Sequence, residues 1–160
     1  MLVWFFGRAP ERRDVLLVLA VMLASGAAVA LGGGSGWLAL LAADVGGGVV
    51  ANTTRATAGW YAARPAWLHV AFVGLHAGHA GLAAWLGGGS PAWVAALMSL
   101  TCAGVLAVRC GPRALAPGVG LATVAVGAFL LPALPAAPGF GALFLLKLVF
   151  GFGVHARRGA

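Results

Sequence analysis

Acidic side chains are almost missing from this chain. Asp and Glu number 3 against 10 Lys and Arg, and charged residues make up 8 % of the sequence while 62 % is hydrophobic. A water-soluble domain carries about 25 % charged residues. So few charges cannot cover a surface that faces water, which excludes an ordinary soluble domain and leaves a bilayer as the solvent. Cysteine is scarce too, with only Cys102 and Cys110. Both fall on one expected helix, roughly 12 Å apart at the helical rise, beyond the reach of a disulfide. They read as buried thiols acting as small hydrophobes. There is no nucleophile motif, no phosphate-binding loop and no paired-cysteine metal motif.

What is present is a series of apolar runs with short breaks. Spans are expected at about residues 15–31, 37–54, 66–86, 92–108, 114–131 and 139–155, each near the length that crosses a bilayer as a helix. Only helices or a closed barrel satisfy the backbone in lipid. A barrel would alternate polarity in short strands, and these runs are continuous. The expected fold is therefore an all-α integral membrane protein, a single domain over residues 1–160, built as a six-helix transmembrane bundle of three helical hairpins.

The breaks after the first, third and fifth runs carry no charge. All nine arginines lie at the two termini or in the second and fourth breaks: Arg8, Arg12, Arg13, Arg55, Arg64, Arg109, Arg113, Arg157 and Arg158. The positive-inside rule then puts both termini in the cytoplasm. This placement at helix ends also excludes a nucleic-acid patch, although the net charge is +7. Arginine in preference to lysine, with abundant alanine and glycine, points to a bacterial inner membrane. Arg12, Arg13 and Ala28-Val29-Ala30 also resemble parts of a secretory signal peptide; a retained first span is the expectation.

Two turns are alike: Leu31-Gly32-Gly33-Gly34-Ser35 recurs as Leu86-Gly87-Gly88-Gly89-Ser90. Trp4, Trp37, Trp60, Trp67, Trp85 and Trp93 fall near expected helix ends, the usual place of an interfacial aromatic belt. Asn52-Thr53-Thr54 matches a glycosylation pattern but lies on the cytoplasmic side, where its polar groups are expected to satisfy backbone at a helix end. An anionic lipid headgroup beside Arg55, Arg64 and Tyr61 is the alternative.

Ionisable groups within a span are expensive and are functional candidates by default. Asp44, His76 and Lys147 fall near mid-span, with His79 one turn further on. At about 100° per residue, Asp44, Gly48, Ala51, Asn52 and Arg55 share one face of the second span, and His69, Phe72, His76 and His79 share an arc of the third. Both stripes are expected to face the bundle interior. Gly46, Gly47 and Gly48 serve either close helix packing or a local unwinding beside a ligand. Asp44 and Lys147 can pair to fix register or take part in proton or ion coupling. Asp44, His76 and His79 could hold a divalent metal, and His69 with His155 could ligate haem. The leading functional expectation is transport or binding of a small solute or ion at Asp44, with Lys147 as counter-charge, His76 and His79 as relay or ligand groups, and Asn52 and Arg55 at the cytoplasmic mouth. A membrane-embedded enzyme acting on a lipid-soluble substrate and a structural subunit are the alternatives. Nothing in the sequence sets an oligomeric state.

Overall fold

The computed structural model describes residues 11–158; Trp4, Arg8 and the side chains of Arg157 and Arg158 lie outside what it describes. The described residues form helices and turns, with one isolated bridge between Leu134 and Ala137. In chain order the helices are α1 (Arg12–Leu31), α2 (Gly36–Thr53), α3 (Arg55–Ala62), α4 (Ala66–Gly87), α5 (Pro91–Cys110), a 3-10 turn (Arg113–Leu115) and α6 (Ala116–Leu130). The last helix, α7, starts as α-helix over Phe140–Leu145, widens to π-helix over Leu146–Val154 and closes with the turn His155–Arg158.

Among the described residues four stretches are long and apolar enough to cross a membrane: Arg12–Leu31, Ala66–Gly87, Pro91–Cys110 and Arg113–Leu130. The chain is a multi-pass helical membrane protein. Its outward side chains agree, with Leu31 and Phe129 each 89 % exposed, a cost in water and none among acyl chains. Four is fewer than the six spans expected from sequence. α2 has the length but contains Asp44, Asn52 and three consecutive glycines, and the apolar part of α7, Phe140–Val154, is short and contains Lys147.

The glycine-serine turns are built alike. In each, the middle glycine is left-handed, Gly33 at φ 85° and Gly88 at φ 77°. The next amide reaches back to close the helix end, Gly34 N–H to the Val29 carbonyl at 2.9 Å and Gly89 N–H to Ala84 at 2.7 Å. This is the Schellman closure, and it favours glycine at the left-handed position. The serine then caps the following helix, its Oγ accepting from Leu38 N–H after Ser35 and from Trp93 N–H after Ser90, both at 3.2 Å.

The second break, Arg55–Pro65, is helical over most of its length. Thr54 ends α2 and starts α3: it is extended (ψ 147°), its hydroxyl donates to the Ala51 carbonyl at 2.9 Å, and it accepts from Thr57 N–H at 3.3 Å. Thr53 likewise donates to Val50, at 2.7 Å. The threonines therefore satisfy the helix end as expected.

α7 is the centre of the packing. It lies against α2, α5 and α6, and its terminal turn lies against α3. Phe144, Leu145, Leu148, Val149, Phe152 and Val154 are enclosed. α1 is peripheral and packs along α2, where Gly46 lets Ser25 approach closely. The uncharged breaks meet at one end: Ala136 N–H donates to the Gly87 carbonyl at 3.4 Å, and Trp93 Nε1 donates to Pro132 at 2.8 Å. Trp93 is thus a buried clasp, unlike the exposed Trp37, Trp67 and Trp85. The thiols also depart from expectation, since Cys102 and Cys110 are exposed and unpaired; they sit on outward positions of α5, which lipid tolerates as readily as a core.

Candidate ion-binding site

The polar stripe of α2 lies along α7. Lys147 Nζ donates to Asp44 Oδ2 at 2.9 Å. One turn on, Gly48 sits directly against the lysine stem; a Cβ there would lie 2.9 Å from Nζ and closer still to the chain carbons. Another turn on, Asn52 Nδ2 donates to the Lys147 carbonyl at 3.1 Å. Three successive turns of α2 are therefore shaped around one residue of α7. The π pitch contributes to the fit. Gly151 packs on Asn52 and Val49, and a Cβ at Gly151 would also lie 3.2 Å from the carbonyl of Leu146, five residues back. π turns are rare and concentrate at functional sites.

The glycine run does not unwind. α2 is continuous through Gly46, Gly47 and Gly48, so the run serves close approach, toward Ser25 on one side and Lys147 on the other. Arg55 is not part of the stripe: the break at Thr54 turns the chain, and Arg55 starts α3 as an exposed residue.

α4 brings a second group to the carboxylate. His79 Nε2 lies 3.4 Å from the same Oδ2 of Asp44. His76 stacks on His79 with centroids 4.8 Å apart and planes 19° from parallel. It is buried, and its Nδ1–H donates to the Phe72 carbonyl at 2.7 Å. His79, not the mid-span His76, is thus the imidazole that meets Asp44. The surroundings are uneven. The Lys147 side chain is 5 % exposed, whereas Asp44 is 40 % and His79 35 % exposed. Both polar contacts of Asp44 use Oδ2, which leaves Oδ1 with no side-chain partner among the described residues.

Toward the arginine-bearing end the same arc of α4 continues into an aromatic cluster. Tyr61, Phe72 and Phe152 pack with centroids 4.5 to 5.0 Å apart. His69 is locked there: Arg109 Nη1 donates to Nδ1 at 2.6 Å, and Nε2–H donates to the Tyr61 carbonyl at 2.7 Å. This fixes the neutral tautomer and occupies both ring nitrogens. His155 Nδ1 donates to the Phe150 carbonyl at 3.3 Å. The haem pairing of His69 with His155 is therefore not formed. Among the described residues no group of three His, Cys, Asp or Glu is arranged to hold a metal, so the Asp44, His76 and His79 set has no support as a metal centre. Burial raises the Tyr61 hydroxyl above its ordinary range.

Sequence angles put Asp44 and Asn52 on one face of α2, where both meet Lys147, and of the histidine arc only His79 reaches Asp44. What they miss is the dependence on Gly48 and on the π segment, whose signal lies in Gly151 and Gly153 within the last apolar run. Comparison of the chain with protein-family models, with curated proteins and with solved structures gives no match.

Proposed function

We propose that this protein binds and passes a proton or small cation across a membrane, with Asp44 as the acceptor and Lys147 as a resident counter-cation. The observation that carries this reading is the lopsided carboxylate. One oxygen is held by Lys147 and faces His79, while the other has no side-chain partner among the described residues, on a side chain that is 40 % exposed. An ionised group turned toward acyl chains is costly; water or a bound cation on the open flank relieves that cost. A pair built only to fix register has no need of an open side.

In this reading an arriving cation takes Oδ1, and Lys147 competes for the same carboxylate through Oδ2. His79 offers a second protonatable group beside Asp44, and His76 extends the pair into the protein by stacking. Asn52 holds the Lys147 backbone so that the ammonium returns to one place. The chain is read as six crossings paired as three hairpins, with α2 and α7 as the shorter, polar spans. Both termini and all arginine-bearing connections lie in the cytoplasm of a bacterial inner membrane.

The full-length protein, reconstituted in vesicles enclosing a pH-sensitive dye, tests this. Wild type dissipates an imposed proton, sodium or potassium gradient, and Asp44→Asn stops it while the protein stays monodisperse. A register-fixing pair is the second reading, favoured by the enclosure of Lys147. It predicts vesicles tight to all three ions, and that result would sink the transport reading.

A further inference from the structure

We infer that the outer face of α3 is a binding site for a phosphate group, with Arg64 as its cation. A cavity of about 410 Å³ opens there, lined by Ala56, Gly59, Trp60, Ala63 and Arg64. Its construction is directional. Ala56, Gly59 and Ala63 share one arc of the helix and supply a floor of small residues, and beyond the helix's own backbone no described residue stands within 4 Å of the position a Cβ would take at Gly59. The Arg64 guanidinium is held over the Trp60 ring, 4.4 Å from its centroid, a stacking that limits its rotation and presents its planar edge.

Among the described residues Arg64 has no counter-ion. Among the described residues its guanidinium meets that ring and no carboxylate, and its buried Nε has no acceptor. The whole chain holds 3 acidic residues: Glu11 pairs with Arg13 at 2.8 Å, Asp14 lies 3.9 Å from the same arginine, and Asp44 is held by Lys147. No aspartate or glutamate side chain remains for the α3 face. A guanidinium fork over a small cavity that no Asp or Glu side chain enters suits phosphate oxygens. Arg55, exposed at the start of α3 and at the edge of the same arc, adds positive potential. A phospholipid headgroup and free phosphate share this chemistry. The site is independent of Asp44.

Native mass spectrometry of the full-length protein in detergent tests the site, with phosphatidylglycerol, phosphatidylcholine and inorganic phosphate added in turn. Wild type retains phosphatidylglycerol in preference to phosphatidylcholine. Arg64→Gln weakens that retention by about tenfold, the worth of one charge-assisted hydrogen bond, while Arg113→Gln, at an exposed arginine outside the cavity, leaves it unchanged. Gly59→Leu fills the open floor without touching the guanidinium and weakens binding as well. Displacement of the lipid by inorganic phosphate identifies the bare anion as sufficient; resistance to displacement identifies the headgroup in its lipid. Retention of phosphatidylglycerol by Arg64→Gln at wild-type strength, or equal retention of both lipids by wild type, overturns the site.

Discussion

Tyr61 is the only tyrosine in the chain, so its hydroxyl can be followed without interference from another phenol. It sits in α3, outside the spanning segments, enclosed by Phe72, Phe152 and Trp60. Burial disfavours the phenolate and raises the group above its ordinary value of 10.0. In the unfolded chain the hydroxyl ionises near that ordinary value, and in the folded protein only above it. The contribution to stability is thus whole below about pH 10 and declines as pH rises beyond it. Ultraviolet titration of the intact protein is expected to show no tyrosinate at pH 10 and a rise only at higher pH, coincident with loss of helix or preceding it. A half-ionised Tyr61 at pH 10 in folded protein would contradict the packing described for the α3 cluster.

At the scale of the element, glycine does two separable jobs. Gly33 and Gly88 sit at positive φ where two helices end, and an alanine there costs about 1–2 kcal/mol from the left-handed backbone alone. Gly33→Ala and Gly88→Ala are expected to lower unfolding stability by similar amounts, because the two turns share one geometry. Gly48 is ordinary helix, and its role is to admit the Lys147 stem. Gly48→Ala favours the helix of α2 by about 1 kcal/mol in isolation, yet in the protein it drives Lys147 off Asp44 and leaves a buried ammonium unpaired. Losing one partner of such a pair costs on the order of 3–5 kcal/mol, so the substitution is expected to destabilise. Replacing Lys147 with methionine in the same chain is expected to recover most of the loss. Denaturation of the single and double variants in mild detergent, read by circular dichroism, measures both effects; a Gly48→Ala chain at least as stable as wild type would show that the contact is unimportant.

At the scale of the whole molecule, the two ends of the bundle differ in kind. Gly87, Pro132 and Ala136 join at the uncharged end, while Tyr61, His69, Arg109 and Phe152 join at the other. Charge asymmetry of this sort sets orientation during insertion. Reporter fusions are expected to give cytoplasmic activity after residue 113 and the opposite after residues 34 and 89. A fusion after residue 34 that reports the cytoplasm would mean that α1 and α2 do not cross as separate spans.

Much of this was legible from spacing. Helix periodicity alone sets Asp44, Gly48 and Asn52 on one face and His69, His76 and His79 on another, because a side chain's direction on a helix is a local property. The glycine-serine turns were visible for the same reason, since left-handed backbone and serine caps are written into a few adjacent residues. Composition alone determined that the chain belongs in lipid. Only the tertiary structure decided which oxygen of Asp44 is taken, that His79 and not His76 reaches it, that Arg55 leaves the stripe, and that the cysteines face outward. Each of those depends on how α2, α4 and α7 rotate against one another, and on the extra width of the π segment. Such rotations are fixed by contacts between residues far apart in the chain, where the pitch of a single helix carries no information.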